Sequence, residues 1–300
     1  MNQLIYNRCI DVIKENSSPI EPVPTGLDFL NNINTKIEAV LFDIYGTLFV
    51  SSSGDVGTAQ KNSSADMFEQ SLISAGAVIL KEDAGKQAAE HFFATIEAHH
   101  ENLKLQGIDY PEIDILDIWI NVCTTLKSGG YIEYTHDDSF FCALAVYHET
   151  KINPVWPMAD MNQFFSLLGK YNFPLGIVSN AQFFTSLLFP ALTGKTVSEL
   201  GFQPELTAWS YTIEEAKPSP RLFHKVVDNL QYQYGIYPES TLYIGNDMKN
   251  DIAAAKSVGC KTALFAGDKR SLRLRENDDC CKTIKPDAIL TVLDDLFNIL

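Results

Sequence analysis

The 300-residue sequence lacks both an excess of positive charge and long apolar runs. It carries 23 lysines and arginines against 38 aspartates and glutamates, which gives a formal net charge of −15. A protein that binds nucleic acid or an anionic membrane surface needs a basic face, so we expect neither as a partner. No apolar run approaches the roughly 20 residues that span a bilayer, so the sequence predicts no membrane-spanning helix.

Signals for disulfides and for secretion are also missing. The six cysteines are scattered, and their spacing fits neither a disulfide framework nor a metal-binding knuckle. The N-terminus carries acidic residues and lacks the compact apolar segment of a secretory signal. These features are typical of a cytoplasmic protein with reduced thiols. We interpret the adjacent Cys280 and Cys281 as incidental thiols in a polar loop.

Short apolar runs predict strands that are buried on both faces. The strong runs cover residues 38–42, 175–178, 241–244 and 261–265, and a weaker one covers 206–210. Helical patterns alternate with them at residues 181–192, 219–233 and 247–258. This alternation indicates right-handed crossovers, so the predicted fold class is α/β with an open parallel, Rossmann-like sheet.

A long insertion between the first and second predicted strands has almost no strand signal. Helical spacing of its apolar residues predicts helices over residues 65–75, 82–105, 113–126, 139–150 and 158–168. We therefore expect a catalytic core of residues 1–52 and 166–300, and a helical cap of residues 53–165. The stretch 51–54, rich in serine and glycine, is the expected hinge.

The segment before the first strand has its own pattern. Residues 1–18 predict a helix and residues 19–26 a proline-rich linker. A short helix is expected between this linker and the strand.

Polar residues cluster where the predicted strands end. Ligands of open α/β sheets bind beyond the carboxyl ends of the strands. The residues expected at this edge are Asp43, Tyr45, Thr47, Ser179, Asn180, Lys217, Asp247 and Asp251. A carboxylate can act as a nucleophile, and oxygen ligands suit a hard divalent cation. Lysine, hydroxyl and amide groups can stabilise an anion. The set therefore predicts group transfer from a small anionic substrate.

Taken together, these motifs resemble the haloacid dehalogenase-like hydrolase superfamily. Its Asp-x-x-x-Thr turn, strand ending in serine, Lys-Pro pair and acidic turn occur here in order, over about residues 36–50 and 170–270. The resemblance implies that Asp43 is a covalent nucleophile oriented by Lys217, and that the insertion is a cap. The resemblance also implies that Thr47, Ser179 and Asn180 bind the group that is transferred.

The resemblance also implies a Mg²⁺ site in the acidic turn. Its ligands would be Asp43, the backbone carbonyl of Tyr45, Asp247 and Asp251, the last either directly or as a supporting partner. Asn246 stands between Gly245 and Asp247, so the family's motif can be aligned with this turn in two ways that differ by one residue.

Tyr45 departs from the phosphatase pattern, which usually places an aspartate there as the general acid. The Asp-x-Tyr-Gly-Thr form resembles 2-haloacid dehalogenases, whose leaving halide needs no proton. Two features oppose the dehalogenase alternative. The acidic turn has an extra carboxylate. Dehalogenases use an arginine from the cap, but no arginine occurs here in residues 9–220, which include the expected cap. The sequence thus favours a Mg²⁺-dependent phosphatase with an aspartyl-phosphate intermediate, with Tyr45 as a weak proton donor. A metal-independent dehalogenase or other C–X hydrolase comes second, and a non-catalytic binding or regulatory protein third.

Three arginines, Arg270, Arg273 and Arg275, follow the strand predicted at 261–265. They leave the sheet on the side of the site, but we interpret them as part of a solvated loop. In the cap, Trp119 is expected in the helical core.

Overall fold

The computed structural model describes residues 1–51, 64–135 and 137–300. Within these residues a seven-stranded sheet forms the centre of the protein. Its strands are β1 (Leu30–Asn31), β2 (Ala39–Phe42), β7 (Leu175–Ser179), β8 (Phe202–Trp209), β9 (Thr241–Gly245), β10 (Lys261–Phe265) and β11 (Ala288–Leu290). Two short pairs complete the strands: β3 (Phe49–Ser51) with β6 (Val155–Pro157), and β4 (Val78–Ile79) with β5 (Ile132–Glu133).

The order of strands in the sheet is β1-β11-β10-β9-β2-β7-β8. Every pair is parallel except β1 with β11. β2 lies in the middle between β9 and β7, and all four of its residues are buried. The polar residues that follow these three strands therefore meet at one edge. The α/β fold with a mostly parallel sheet is confirmed.

Helices cover both faces of the sheet and form the insertion. They are α1 (Gln3–Asn16), α2 (Ala65–Ala75), α3 (Ala84–Leu105), α4 (Ile115–Ser128), α5 (Asp138–Ile152), α6 (Met161–Leu168), α7 (Thr185–Thr193), α8 (Ser210–Ile213), α9 (Arg221–Asn229) and α10 (Ala254–Ser257). In the described residues, none of these helices is both long and apolar enough to cross a membrane.

Helices α2 to α5 pack around an aromatic centre. The Phe68 ring lies 5.3 Å from Phe92 and 4.4 Å from His148, and Trp119 lies 4.8 Å from Phe92. Trp119 is fully buried, as expected of a residue in the core of the cap. α1 packs on both α5 and α7, so the N-terminal helix joins the insertion to the core. The division into residues 1–52, 53–165 and 166–300 stays a prediction; its first boundary and most of the expected hinge lie outside the described residues.

The structure corrects two predictions about local elements. Residues 17–38 contain no helix, so the short helix expected after the linker is wrong. Asn31 instead accepts a hydrogen bond from the Ile33 amide, a local turn interaction that competes with helix formation. The predicted helix at 247–258 begins as a π-helical segment, Met248–Ala253, before α10.

Candidate active site

Asp43 is the first residue after the buried strand β2. Its amide donates a hydrogen bond to the Ile244 carbonyl over 2.9 Å, which ties it to the end of β9. The chain then turns at Gly46, which has φ +83°. A Cβ at Gly46 would lie 2.5 Å from Asn246 Nδ2. Glycine is therefore required both for the backbone conformation and for the close approach of the two loops.

Lys217 lies at the centre of the buried charges. Its Nζ atom lies 2.7 Å from Asp43 Oδ1, 2.6 Å from Asp251 Oδ1 and 3.2 Å from the Tyr243 hydroxyl. Its three N–H donors are all used in this way. Burial by itself would lower the pKa of Lys217, but Asp251 and Asp43 raise it above its ordinary value. The lysine is therefore charged and fixed against the predicted nucleophile.

Tyr243 was not anticipated as a site residue. Its hydroxyl lies 2.8 Å from Asp251 Oδ1 and 2.9 Å from the Val178 carbonyl. Burial, and next the charge of Asp251, raise its pKa well above 10, so the phenol stays neutral. A signal was present in the sequence, because a tyrosine inside an otherwise apolar buried strand needs a partner for its hydroxyl.

Asp251 is engaged through both carboxylate oxygens. Oδ1 contacts Lys217 and Tyr243, and Oδ2 accepts a hydrogen bond from the Asp247 amide over 2.9 Å. Burial raises the pKa of Asp251 to about 6, the nearby Lys217 opposes this shift, and Asp43 adds to it. Asp251 thus positions Lys217 and the start of the acidic turn.

Arg275 lies in an exposed loop, as expected, but its side chain also pairs with Asp247. Its Nε atom lies 3.2 and 3.1 Å from Oδ1 and Oδ2, and Nη2 lies 2.6 Å from Oδ2. The loop reaches the site because the Met248 amide donates to the Arg273 carbonyl and the Arg273 amide donates to the Asn246 carbonyl. These long-range backbone bonds had no signal in the sequence. Arg270 instead pairs with Asp268.

A cavity of about 20 Å³ lies between these groups. Its lining includes six of the predicted site residues: Asp43, Tyr45, Asn180, Lys217, Asp247 and Asp251. Asn246 and Asn250 also line it and were not predicted to take part. Asn180 Oδ1 accepts the Lys217 amide over 2.7 Å, which connects the second and third motifs.

Thr47 and Ser179 were predicted to bind the transferring group, yet they are fully buried and lie outside this lining. The Thr47 hydroxyl donates to Asn246 Oδ1 over 3.3 Å, and the Ser179 hydroxyl donates to the Asn180 carbonyl over 3.2 Å. Both side chains thus support asparagines that line the cavity.

The Tyr45 hydroxyl lies 2.9 Å from Thr185 Oγ1 at the start of α7. Thr185 Oγ1 also accepts the Gln182 amide over 3.0 Å. The phenol is 4% exposed, so its orientation is fixed by the core. Any proton transfer from Tyr45 must therefore involve this hydrogen-bonded hydroxyl.

The oxygen atoms that line this cavity are of the chemical type that a hard cation binds. Mg²⁺ usually binds through one or two carboxylates together with water and substrate oxygens, and Asp43 and Asp247 line the same space. Within the described ranges, however, no three histidine, cysteine, aspartate or glutamate side chains form a group that could hold a metal ion. Arg275 occupies both oxygens of Asp247, so Asp247 can bind a cation only if Arg275 yields one of them.

Solved structures with similar folds include proteins of different activity. A predicted phosphoglycolate phosphatase from Haemophilus somnus 129pt is 17% identical, with 88% of this chain and 98% of that chain covered and a TM-score of 0.45. The L-2-haloacid dehalogenase from Xanthobacter autotrophicus is 19% identical, with 87% and 96% covered and a TM-score of 0.45. The putative HAD-hydrolase YfnB from Bacillus subtilis bound to magnesium is 17% identical, with 88% and 98% covered and a TM-score of 0.44. These similarities do not select one reaction.

A search of curated proteins found no match. The haloacid dehalogenase-like hydrolase family matches residues 37–259. This range includes Asp43, Lys217 and Asp251, and it covers most of the chain. The protein therefore belongs to the haloacid dehalogenase-like hydrolase family.

Proposed function

We propose that this hydrolase cleaves a small phosphomonoester, with Asp43 as the nucleophile and Mg²⁺ as the cofactor. The observation that carries the proposal is that Asp247, a second carboxylate, lines the same 20 Å³ cavity as Asp43. Attack by a carboxylate on a phosphoryl group brings two anions together, and Lys217 alone supplies one positive charge. A dehalogenase, whose substrate carries no phosphoryl charge at the reacting carbon, has no such need for Asp247.

The reaction has two steps. In the first, an Asp43 oxygen forms a bond to phosphorus, the bond from phosphorus to the ester oxygen breaks, and that oxygen takes a proton from Tyr45 or water. In the second, water attacks phosphorus of the aspartyl-phosphate, the bond from phosphorus to the Asp43 oxygen breaks, and phosphate leaves with the Asp43 carboxylate regenerated. The proton that the water loses returns to Tyr45 if Tyr45 was the donor, and otherwise goes to solvent. Lys217 keeps Asp43 oriented through its 2.7 Å contact and balances charge on the phosphoryl group.

Asp43 and Asp247 are the residues that would hold Mg²⁺, together with the backbone carbonyl of Tyr45. Bound there, the ion would neutralise charge on the phosphoryl oxygens. Asp251 is proposed as a supporting partner rather than a ligand, because Lys217, Tyr243 and the Asp247 amide already occupy its oxygens.

A 2-haloacid dehalogenase is the second candidate, and two observations favour it. Tyr45 stands where phosphatases of the family usually have an acid, and Arg275 pairs with Asp247 through three hydrogen bonds. In that reaction an Asp43 oxygen would displace halide from carbon and form an ester that water then cleaves. Arg275 would keep Asp247 neutralised without a metal.

One assay separates the two candidates. The purified protein is incubated with p-nitrophenyl phosphate and with L-2-chloropropionate, each with Mg²⁺ and with EDTA, while phosphate and chloride release are measured. We expect phosphate release that EDTA abolishes and Mg²⁺ restores. Chloride release unaffected by EDTA, without phosphate release, would reject the phosphatase. Asp43→Asn is the control for both, because turnover that survives it does not come from this site.

A further inference from the structure

A second and larger cavity lies between the cap and the core. Its volume is about 210 Å³, and Asn180 lines both this cavity and the small one at Asp43. Its polar wall includes Glu112, Trp119, His148 and Glu149, which all come from the insertion. The two cavities are therefore neighbours, and the larger one is the space in which we place the leaving group of a phosphomonoester bound at Asp43.

The segment at Glu112 is fixed firmly against the core. Gln182 Nε2 donates to the Ile113 carbonyl over 2.8 Å, and Gln182 Oε1 accepts the Ile115 amide over 2.9 Å. Ser210 Oγ donates to Glu112 Oε2 over 2.8 Å. These bonds define one wall of the cavity, so a ligand there meets preformed polar groups.

Two carboxyl groups in the wall have no basic partner. Glu149 Oε1 accepts a hydrogen bond from Asn153 Nδ2 over 3.0 Å. Across the described residues, neither Glu112 nor Glu149 forms an ion pair, and the lining contains no lysine or arginine. Burial raises the pKa of each group to about 7. A carboxylate removed from water is costly unless a cation or several donors compensate it. Glu112 is compensated in part, because its oxygens accept the Ser210 hydroxyl, the Ile113 amide and Gln182 Nε2, whereas the donor to Glu149 is Asn153 Nδ2.

His148 adds a third acceptor. Ser71 Oγ donates its proton to the Met67 carbonyl over 2.7 Å, so it can only accept from His148 Nδ1, 3.3 Å away. Burial lowers the pKa of His148 to about 3, so the ring is neutral and Nε2 carries the lone pair. His148 is 3% exposed. In the part of the chain that the structure describes, its Nε2 atom has no hydrogen-bond partner, and neither has Trp119 Nε1.

We propose that this cavity binds a protonated amine on the leaving group, which makes the substrate a small aminoalkyl phosphomonoester. The assignment of the leaving group rests on the proposed phosphatase function. An ammonium group offers three N–H donors and one positive charge, which matches the two carboxyls of Glu112 and Glu149 and the acceptor Nε2 of His148. An anionic leaving group would meet acceptors only, apart from the Trp119 N–H and side-chain amides.

The first test compares substrates of equal size. We measure kcat/KM for 3-aminopropyl phosphate, n-butyl phosphate and 3-hydroxypropyl phosphate, which differ in the terminal group. We expect the amine to exceed both neutral esters by at least about tenfold, the range expected of hydrogen bonds to charged groups. Equal values for the three esters, or a preference for the hydroxyl, would overturn the proposal.

The second test uses two isosteric variants and one control. Glu149→Gln and Glu112→Gln should remove most of the preference for the amine, measured as the ratio of kcat/KM for 3-aminopropyl phosphate to kcat/KM for n-butyl phosphate. Glu97→Gln is the matched control, because Glu97 is exposed on α3, the same helix as the cavity residue Phe92. If neither cavity variant changes the preference, the carboxyls are not the amine site. Circular dichroism and thermal unfolding check that each variant is folded.

A third measurement does not depend on hydrolysis. Calorimetry with n-butylammonium chloride, and with butan-1-ol for comparison, measures binding to the cavity alone. We expect the ammonium to bind at least about tenfold more tightly to the wild type, and this difference to disappear in Glu149→Gln. If this holds while no phosphomonoester is hydrolysed, the amine site stands and the phosphatase function fails. Absence of ammonium binding overturns the amine site itself.

Discussion

The Arg275 guanidinium holds the carboxylate of Asp247 through three hydrogen bonds, the shortest 2.6 Å long. Asp247 is also the cap of the helical segment that follows, because its Oδ1 accepts the amides of Lys249 and Asn250. The residue predicted to bind Mg²⁺ is thus neutralised by a loop from beyond β10. Any cation at this site competes with Arg275.

Removal of Arg275 should therefore strengthen Mg²⁺ binding. We expect Arg275→Gln to lower the Mg²⁺ concentration for half-maximal phosphatase activity by about three- to tenfold, since a charge-assisted pair of this kind contributes on the order of 1 kcal/mol when partly exposed. Calorimetric titration with Mg²⁺ checks the binding independently. Arg221→Gln is the control, because Arg221 pairs with Glu215 and is largely exposed. Weaker Mg²⁺ binding in Arg275→Gln would mean that Arg275 supports the metal site.

The choice of leaving group should depend on Tyr45. A phenol is a weak acid near neutral pH, so the wild type should prefer aryl phosphates, whose leaving groups need little protonation, over alkyl phosphates. Tyr45→Asp should narrow this gap by about tenfold or more, which is within the range of general acid catalysis. The ratio of kcat/KM for phenyl phosphate and n-butyl phosphate measures it. Tyr45→Phe is the control, and an unchanged ratio in Tyr45→Asp would exclude an acid at this position.

Loss of Lys217 should impair both folding and activity. Lys217→Met leaves Asp43 and Asp251 buried without their shared cation, and breaking a buried ion pair costs about 3–5 kcal/mol. Chemical denaturation measures the free energy of unfolding. The double variant Lys217→Met, Asp251→Asn should recover part of the stability but no activity. If Lys217→Met has the free energy of unfolding of the wild type, Asp43 and Asp251 do not need the charge of Lys217 to remain buried.

Glu112 and Glu149 should each lower the free energy of unfolding as the pH rises from about 4.5 to 7. Their pKa values are raised to about 7 in the folded protein, so at these two groups the folded state binds more protons than the unfolded state in this window. The pKa of His148 is lowered to about 3, so between about pH 3 and 6.5 the unfolded state binds more protons at this residue and stability rises with pH. The pKa of His100 is also lowered, which acts in the same direction as His148.

Comparison with Glu149→Gln isolates one of these groups. We expect the variant to lose less stability than the wild type between pH 4.5 and 7, by on the order of 1 kcal/mol, because Glu149 lines a cavity and is only partly buried. Urea denaturation at several pH values checks this. Identical pH profiles for the two proteins would show that Glu149 is not desolvated.

The sequence by itself determined five strands of the sheet, all except β1 and β11, and the order of the motifs that follow them. Strands such as β2 and β9 are continuous apolar runs that only a sheet covered on both faces can bury. Since parallel strands share one carboxyl edge, the positions of Asp43, Asn180, Lys217 and Asp247 around one cavity followed from sequence order.

Only the tertiary structure decided which partners those residues have. Arg275 reaches Asp247 through backbone bonds between loops, and Tyr243 on β9 reaches Lys217 in the turn before α9. Glu149 and Glu112 line one cavity although they come from different segments of the insertion. Sequence patterns report period and local propensity, whereas these contacts depend on how separate elements pack. The charges that control the site are therefore set by packing, while the residues that form it are set by the order of the strands.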